Sequence, residues 1–413
     1  MQKRVIQEIM RSLQPQSCKT EPGNPGENGS FVSQLGLILF LTTIFFFNFL
    51  GRIVLAPLMP SIENDLGIAH AQAGSLFLLV SLGYFISLLC SGFLSSRINH
   101  RMTIIASAVS VGMVLLGISF SSSLWTIRLG LFFLGMSAGI YLPSGIATLT
   151  SLISVRHWGK TIATHELAPN LSFVVAPLLS EAIMIWFSWR VVIFFLGCCS
   201  ILIGMAFAFL GRGGEFSGEA PNFGSLKALF GEPAFWIMTL LFSFGICGTL
   251  GIYTMLPLYL VTAQGIERSW ANTLVAFSRI SGVFMAFIAG WASDRMGPKL
   301  TMSGVFLITG LLTILLGTVS DAWIVVLVFL QPVMAACFFP PGFAALSSIG
   351  PPNARNIAVS LTIPAAFVFG GGAIPIGIGM MGDAGHFDLG IALAGGLILT
   401  GSFLALCLRS PRE

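Results

Sequence analysis

The chain has 413 residues, of which 55% are hydrophobic and only 9% charged. A soluble domain carries about a quarter charged residues, so most of this surface does not face water, and a soluble enzyme or a nucleic-acid binder is excluded. The net charge of +4 is small, and the seven cysteines show no metal spacing; six lie in apolar runs and read as small hydrophobes, not as a disulfide framework.

Residues 1–34 are polar, with Pro22-Gly23-Asn24-Pro25-Gly26 near the middle. They read as a cytoplasmic tail with a short amphipathic helix over 3–13. The apolar run from Leu35 is too long for a secretory signal peptide. A bilayer-spanning helix needs about 20 apolar residues. Twelve stretches qualify: 35–60, 71–95, 102–122, 124–153, 160–186, 190–211, 234–262, 269–293, 299–319, 322–347, 354–381 and 388–408. The polar segment 212–233 is the one long interruption, and 409–413 forms a second tail. The expected fold is an all-α membrane protein with twelve transmembrane helices in two pseudo-symmetric six-helix bundles, 35–211 and 234–408, joined by a cytoplasmic linker.

Internal repetition supports the two halves. Gly67-Ile68 is followed 198 positions later by Gly265-Ile266. Leu142-Pro143-Ser144-Gly145 pairs with Phe339-Pro340-Pro341-Gly342, 197 apart, and Pro169 pairs with Pro364, 195 apart. Such duplication implies similar bundles about an axis along the membrane normal, with a substrate site between them near mid-membrane. With both termini inside, Lys3, Arg4, Arg11, Lys19, Arg97, Arg101, Arg156, Lys160, Arg212, Lys227, Arg295, Lys299, Arg355, Arg409 and Arg412 fall on the cytoplasmic side. Only Arg190 and Arg268 fall outside, which is the expected bias. The location this implies is a bacterial inner membrane.

The loop Gly290-Trp291-Ala292-Ser293-Asp294-Arg295-Met296-Gly297-Pro298-Lys299 breaks two apolar runs, and Gly92…Ser95-Ser96-Arg97…Arg101 is a weaker copy 198 positions earlier. The first of these resembles the G-x-x-x-D-R-x-G-[RK]-[RK] loop of the major facilitator superfamily of secondary transporters. The resemblance implies that Asp294, Arg295, Gly290 and Lys299, with Arg97 and Arg101 in the first half, gate the cytoplasmic side. A carboxylate at a helix N-terminus is stabilised by roughly 0.3–1 kcal/mol, small enough for a latch that releases. Gly290 and Gly297 would permit close approach and a tight turn. The bland reading is that these cations only set topology. Ser96 stands where the first copy would need an acid, so it cannot supply that charge.

Arg52 lies deep in the first span, where a guanidinium costs about 2.5 kcal/mol or more unless paired or wetted. Asn48 is one turn before it on the same face. The stretch from Arg52 through Pro60 and Gly67 to Gly83-Tyr84 looks like the first two helices of organic-anion symporters, which implies that Arg52 contacts an anionic substrate. An internal ion pair or snorkelling is the alternative. Arg279, in the eighth span, is a second anion contact on the same footing. Tyr84, Tyr141 and Tyr253 are buried hydroxyls that would each want a partner, either substrate or helix packing.

In the fifth span, Glu166, Asn170 and Phe173 share one face, and His165 with Glu166 is the one adjacent titratable pair inside a span. The pair suits uptake and release of a coupling proton, while Asn170 would face substrate. The structural alternative is that Glu166 braces Arg156 or Lys160. Glu181, further along, reads as an exposed rim charge. Pro332 and Phe338-Phe339-Pro340-Pro341 signal an irregular, cavity-lining tenth helix.

Gly211-Arg212-Gly213-Gly214 and Gly370-Gly371-Gly372 lack the Lys-Ser/Thr of a phosphate loop, so neither an ATP site nor any other cofactor is expected. The reading is therefore a monomeric secondary active transporter in the lipid bilayer, moving a small organic or inorganic anion with a proton or other ion. A drug or metabolite efflux antiporter is the alternative within transport. A non-transporting receptor or assembly factor on a transporter fold is the alternative outside it.

Overall fold

The computed structural model describes residues 31–153, 157–218, 229–320, 322–347 and 355–408. The expected helix over 3–13 and Arg156 lie outside them. Among the described residues there is no strand, and ten helices are long and apolar enough to cross a membrane.

Two local breaks reconcile that count with twelve passes. His70–Ser119 is 50 residues long. Straight, it would run about 75 Å, more than twice a bilayer's hydrocarbon core of about 30 Å. It breaks at Asn99, whose backbone is left-handed (φ 65°), and so supplies the second and third passes. The eighth pass is Arg268–Ser278 followed by Gly282–Met296. At the interruption Arg279 N–H bonds Ala276 O and Ile280 N–H bonds Phe277 O, each at 3.2 Å. These tighter bonds replace the regular ladder where the sequence alone implies one unbroken helix over 269–293.

The remaining passes follow in order. The first is Gln34–Leu66, the fourth Leu124–Leu152, the fifth Lys160–Met184 and the sixth Trp189–Leu210. The seventh is Pro233–Thr262, the ninth Pro298–Leu316, the tenth Trp323–Leu346, the eleventh Ala358–Asp383 and the twelfth Phe387–Leu406.

Proline and wide turns bend the passes that face the seam between the halves. Pro57 lacks the N–H that would bond Ile53 O, and the first pass is interrupted at Val54, two residues past Arg52. Pro169 likewise follows a break at Glu166 in the fifth pass. The seventh and eleventh passes each contain one five-residue π turn, Cys247–Gly251 and Phe369–Ala373. The Gln331 side chain meets the first of these: its Nε2 donates to Gly248 O at 2.9 Å.

The halves meet most closely at the end carrying the 1–2 and 7–8 loops. There Asp383, at the end of the eleventh pass, accepts from the backbone N–H groups of His70 (2.7 Å) and Ala71 (3.0 Å), capping the second pass. Glu181, at the end of the fifth pass, accepts from Arg268 Nη2 (3.2 Å) and Asn272 Nδ2 (2.6 Å). The rim charge of the sequence reading is therefore a half-enclosed contact between the halves. A side chain at Gly74 would collide with the backbone of Pro375, so the second and eleventh passes touch main chain to main chain.

At the opposite end Tyr141–Leu152, Trp158–His165, Gly282–Met296 and Phe339–Leu346 make their main packing contacts within their own halves. Glu166, Leu167 and Leu171 are exposed there. The structure is thus sealed at one end and parted at the other.

Candidate functional site

The two arginines of the sequence reading both lie at the seam. Arg52 is 7% exposed. Its guanidinium carbon lies 4.7 Å from the Phe49 ring centre, 4.2 Å from that of Tyr84 and 5.9 Å from that of Phe367 in the other half. Beside it is a cavity of about 20 Å³ lined by both halves, with Ser81 and Tyr84 on one side and Leu250, Thr254 and Gly371 on the other. Arg279 is 8% exposed. It lies 4.9 Å from the rings of Phe173, in the first half, and Tyr253, in the second, and donates to Thr249 O at 3.1 Å.

Rings connect the two cations. Phe49 meets Phe173 edge to face at 5.4 Å, and Phe173 meets Tyr253 at 4.7 Å. Neither arginine has an acidic partner among the described residues, and Nε of each lacks a hydrogen-bond partner, as does the Tyr253 hydroxyl. Guanidinium over an aromatic face is attractive by about 0.5–2 kcal/mol, but it neutralises no charge. What the arrangement offers is two positive groups in a low-dielectric gap, where an anion interacts far more strongly than in water.

Several expected site residues are not at this gap. Asn48 Nδ2 donates to Ser107 Oγ (3.3 Å) and Ala138 O (3.2 Å), tying the first pass to the third and fourth. Tyr141 is fully buried in the first half and donates to Leu41 O at 2.7 Å. Asn170 Nδ2 donates back to Glu166 O at 2.9 Å, covering a carbonyl at the Pro169 break. The groups of Asn48 and Tyr141 tie helices of the first half together and that of Asn170 covers a carbonyl of its own pass, so the side chain of Asn48 turns toward the third and fourth passes while that of Arg52, one turn on, turns toward the seam.

His165 is 0% exposed, stacked on Phe45 at 4.4 Å, with Nε2 3.1 Å from the Tyr141 hydroxyl. The single proton of that hydroxyl goes to Leu41 O, so His165 Nε2–H donates to it, and Nδ1 has no hydrogen-bond partner. Nδ1 lies 3.5 Å from Glu166 Oε1. Glu166 is half exposed and close enough to Tyr84 and Tyr141 to act on both electrostatically. Lys160 is exposed, and among the described residues no cationic group other than His165, which would pair with Glu166 only when protonated, lies within ion-pair distance of that carboxylate.

The loop residues divide. Gly297 has φ 83° and ends one helix as Pro298 begins the next, the turn the sequence implies. Asp294 and Arg295 are exposed; Arg295 stacks on Trp291 at 4.6 Å, and Asp294 has no ion pair among the described residues. Gly290 is not a close-approach site, because a Cβ there would meet nothing within 4 Å. Arg97 is exposed, and Lys299 is partly buried at the start of the ninth pass. Arg101 does something else: it donates to Ala208 O (3.0 Å) and Gly211 O (2.7 Å), closing the end of the sixth pass. The segment after that pass runs back along the 2–3 loop. His100 N–H bonds Phe216 O (3.1 Å), Arg101 N–H bonds Gly214 O (2.7 Å) and Gly218 N–H bonds Ser95 O (3.0 Å).

Sequence reasoning missed Asp383, His70 and Asn272, the residues that close the sealed end. The repeat offset contained the clue, since His70 and Arg268 are 198 positions apart and open matching helices.

This is a multi-pass integral membrane protein built as two related helical halves around a charged seam. A Major Facilitator Superfamily profile matches residues 41–320, and the chain belongs to that superfamily; it is of a transporter family, not an enzyme. It is 26% identical over 306 residues to the membrane sensor protein UhpC of Salmonella typhimurium, covering 67% of each chain. It is 20% identical over 390 residues to the phosphoglycerate transporter protein of the same organism, covering 86% of this chain and 84% of that one. It is 23% identical over 375 residues to the 4-hydroxybenzoate transporter PcaK of Acinetobacter baylyi, covering 76% and 81%. Among solved structures, a bacterial homolog to the human lysosomal transporter Spinster, in an inward-facing and occupied conformation, matches with a TM-score of 0.79 at 16% identity, covering 91% of this chain and 97% of that one.

Proposed function

We propose that the chain is a monomeric secondary active transporter for a small anion, driven by a proton gradient across a bacterial inner membrane. Arg52 and Arg279 hold the anion at the seam, and the halves rock so that each end opens in turn. The observation that supports this is the pair of buried guanidiniums, one from each half, at the seam and joined by rings, neither with an ion-pair partner among the described residues. Placing the cation-rich loops inside makes the sealed end periplasmic and the parted end cytoplasmic. Asp294 then belongs to a latch that is undone in this state. His165 Nδ1 and Glu166, beside the parted end, are the proton site.

The test is uptake of labelled anions into proteoliposomes by the wild type, Arg52→Gln and Arg279→Gln. Loss of anion uptake by both variants, with the proteins still folded, is the expected result. Efflux-based drug resistance that survives Arg52→Gln, with no anion uptake by the wild type, would replace this reading with export.

A second reading is favoured by one observation, the similarity to a protein described as a membrane sensor. A receptor would bind the anion at the same arginines without moving it. Counterflow separates the two, because only a carrier exchanges labelled for unlabelled solute.

A further inference from the structure

The lining of the seam speaks to which anion fits, given that the anion reading holds. The cavity beside Arg52 is about 20 Å³, room for one water and far below the roughly 300 Å³ of a small-ligand pocket. The space between the arginines is filled by rings: Phe49 against Phe173, and Phe173 against Tyr253. A ligand that bridges Arg52 and Arg279 must therefore part these rings and take over their contacts.

The hydrogen-bonding inventory is short. Four amide side chains near the seam have their N–H groups engaged: Asn48 with Ala138 O and Ser107, Asn170 with Glu166 O, Asn272 with Pro57 O and Glu181, and Gln331 with Gly248 O and Thr313; of their oxygens, those of Asn48 and Asn272 are buried without a partner. Thr254 donates to Gly251 O at 2.8 Å. Apart from the arginines and those two oxygens, this leaves the unpartnered Tyr253 hydroxyl, with Ser81 and the Arg52-bonded Tyr84 hydroxyl at the cavity wall, to meet a ligand. A hydroxyl-rich ligand entering here would leave most of its donors and acceptors unpaired, which is strongly unfavourable in a dry site. A flat ring would exchange ring–ring and ring–guanidinium stacking for contacts of the same kind.

We propose that the seam takes a small aromatic carboxylate, its ring between Phe49 and Phe173 and its carboxylate on Arg52, and that it discriminates against phosphorylated polyols. Arg279 and the unpartnered Tyr253 hydroxyl then face the far edge of the ring, where a second polar substituent strengthens binding.

The experiment measures thermal stabilisation of the purified full-length protein by benzoate, 4-hydroxybenzoate, 3-phosphoglycerate, glucose 6-phosphate and inorganic phosphate, with competition for uptake in proteoliposomes. The expected result is stabilisation by the two benzoates, stronger for the hydroxylated one, with at least tenfold weaker action by the phosphates. Phe173→Leu, which keeps an apolar side chain, should weaken the benzoates about tenfold and leave the phosphates unchanged. Comparable or better binding of the phosphorylated polyols, lost in Arg52→Gln, overturns the aromatic assignment while leaving the anion reading in place. No stabilisation by any of the five probes overturns both. The comparison of probes is made on the wild type, so it does not depend on a variant folding.

Discussion

His70 and Arg268 occupy matching positions, 198 apart, at the starts of the second and eighth passes, and each is gripped by a carboxylate from the opposite half. Asp383 reaches the main chain of one, and Glu181 reaches the side chain of the other. The sealed end is therefore closed twice by the same device, once in each direction. The two clasps differ in exposure. Glu181 is mostly buried, whereas Asp383 is open to solvent.

That difference predicts unequal effects. A hydrogen bond to a charged group contributes about 1.5–3 kcal/mol when buried, while exposed charged contacts contribute about 0–1 kcal/mol. Glu181→Gln should therefore shift the population toward opening of the sealed end by about tenfold or more, and Asp383→Asn by about fivefold or less. Spin-label distances across that end, measured for each variant, check this. Equal effects, or none from Glu181→Gln, would show that the clasps do not hold the end shut.

Close backbone approach at the same end can be tested without touching charge. A Cβ at Gly74 would press on the Pro375 carbonyl group, whereas one at Gly290 meets open space. Gly74→Ala should wedge the second and eleventh passes apart and favour opening of the sealed end, visible as faster labelling of a cysteine placed in the seam. Gly290→Ala should leave both labelling and thermal stability within error of the wild type.

Arg52 sits between Phe49 and Tyr84 as a flat group between rings. Lysine keeps the charge but loses the planar stacking and the paired donors. Arg52→Lys should therefore lower anion uptake by at least tenfold at saturating proton gradient. Uptake at wild-type levels would mean that charge alone is what the site uses.

Glu166→Gln separates the proton role from a structural one. If His165 and Glu166 carry the proton, the variant should keep counterflow and lose uptake driven by an imposed pH gradient. A brace would behave differently: thermal stability and counterflow would fall together.

Arg101→Ala should free the last carbonyls of the sixth pass and cost about 0.5–2 kcal/mol, in the range measured for lost helix caps, with faster proteolysis between 211 and 218. Transport per folded molecule should not change. A gating role for Arg101 would reverse that pattern, with normal melting and slowed transport.

The course of the helices was legible because charge and turn residues are rare in this chain, so Asp294-Arg295 and Gly297-Pro298 stand out against long apolar runs. The arginines were legible for the same reason: a cation at membrane depth needs an explanation. Which neighbours share their face was not legible. In a soluble helix polar residues mark the outer face, but here lipid, interior and seam are all lined by apolar side chains, so the sequence pattern does not orient the helix. Asn48 and Tyr141 therefore looked like pocket groups and prove to tie helices together within one half. The sealed end was missed because its bonds run between residues far apart in the chain, such as Ala71 with Asp383, and Glu181 looked like any terminal carboxylate.

The π turn Cys247–Gly251 releases main-chain oxygens from the helix's own ladder: Gly248 O accepts from Gln331, and Thr249 O accepts from Arg279. Deleting one residue there would restore regular winding and rotate Tyr253 and Thr254 by roughly 100° about the helix axis. Tyr253 would leave the arginine it stacks on, with no substitution made at either position. The register of this wall is set by how many residues the turn contains, so drift in length is a more drastic route to altered selectivity than drift in side-chain type.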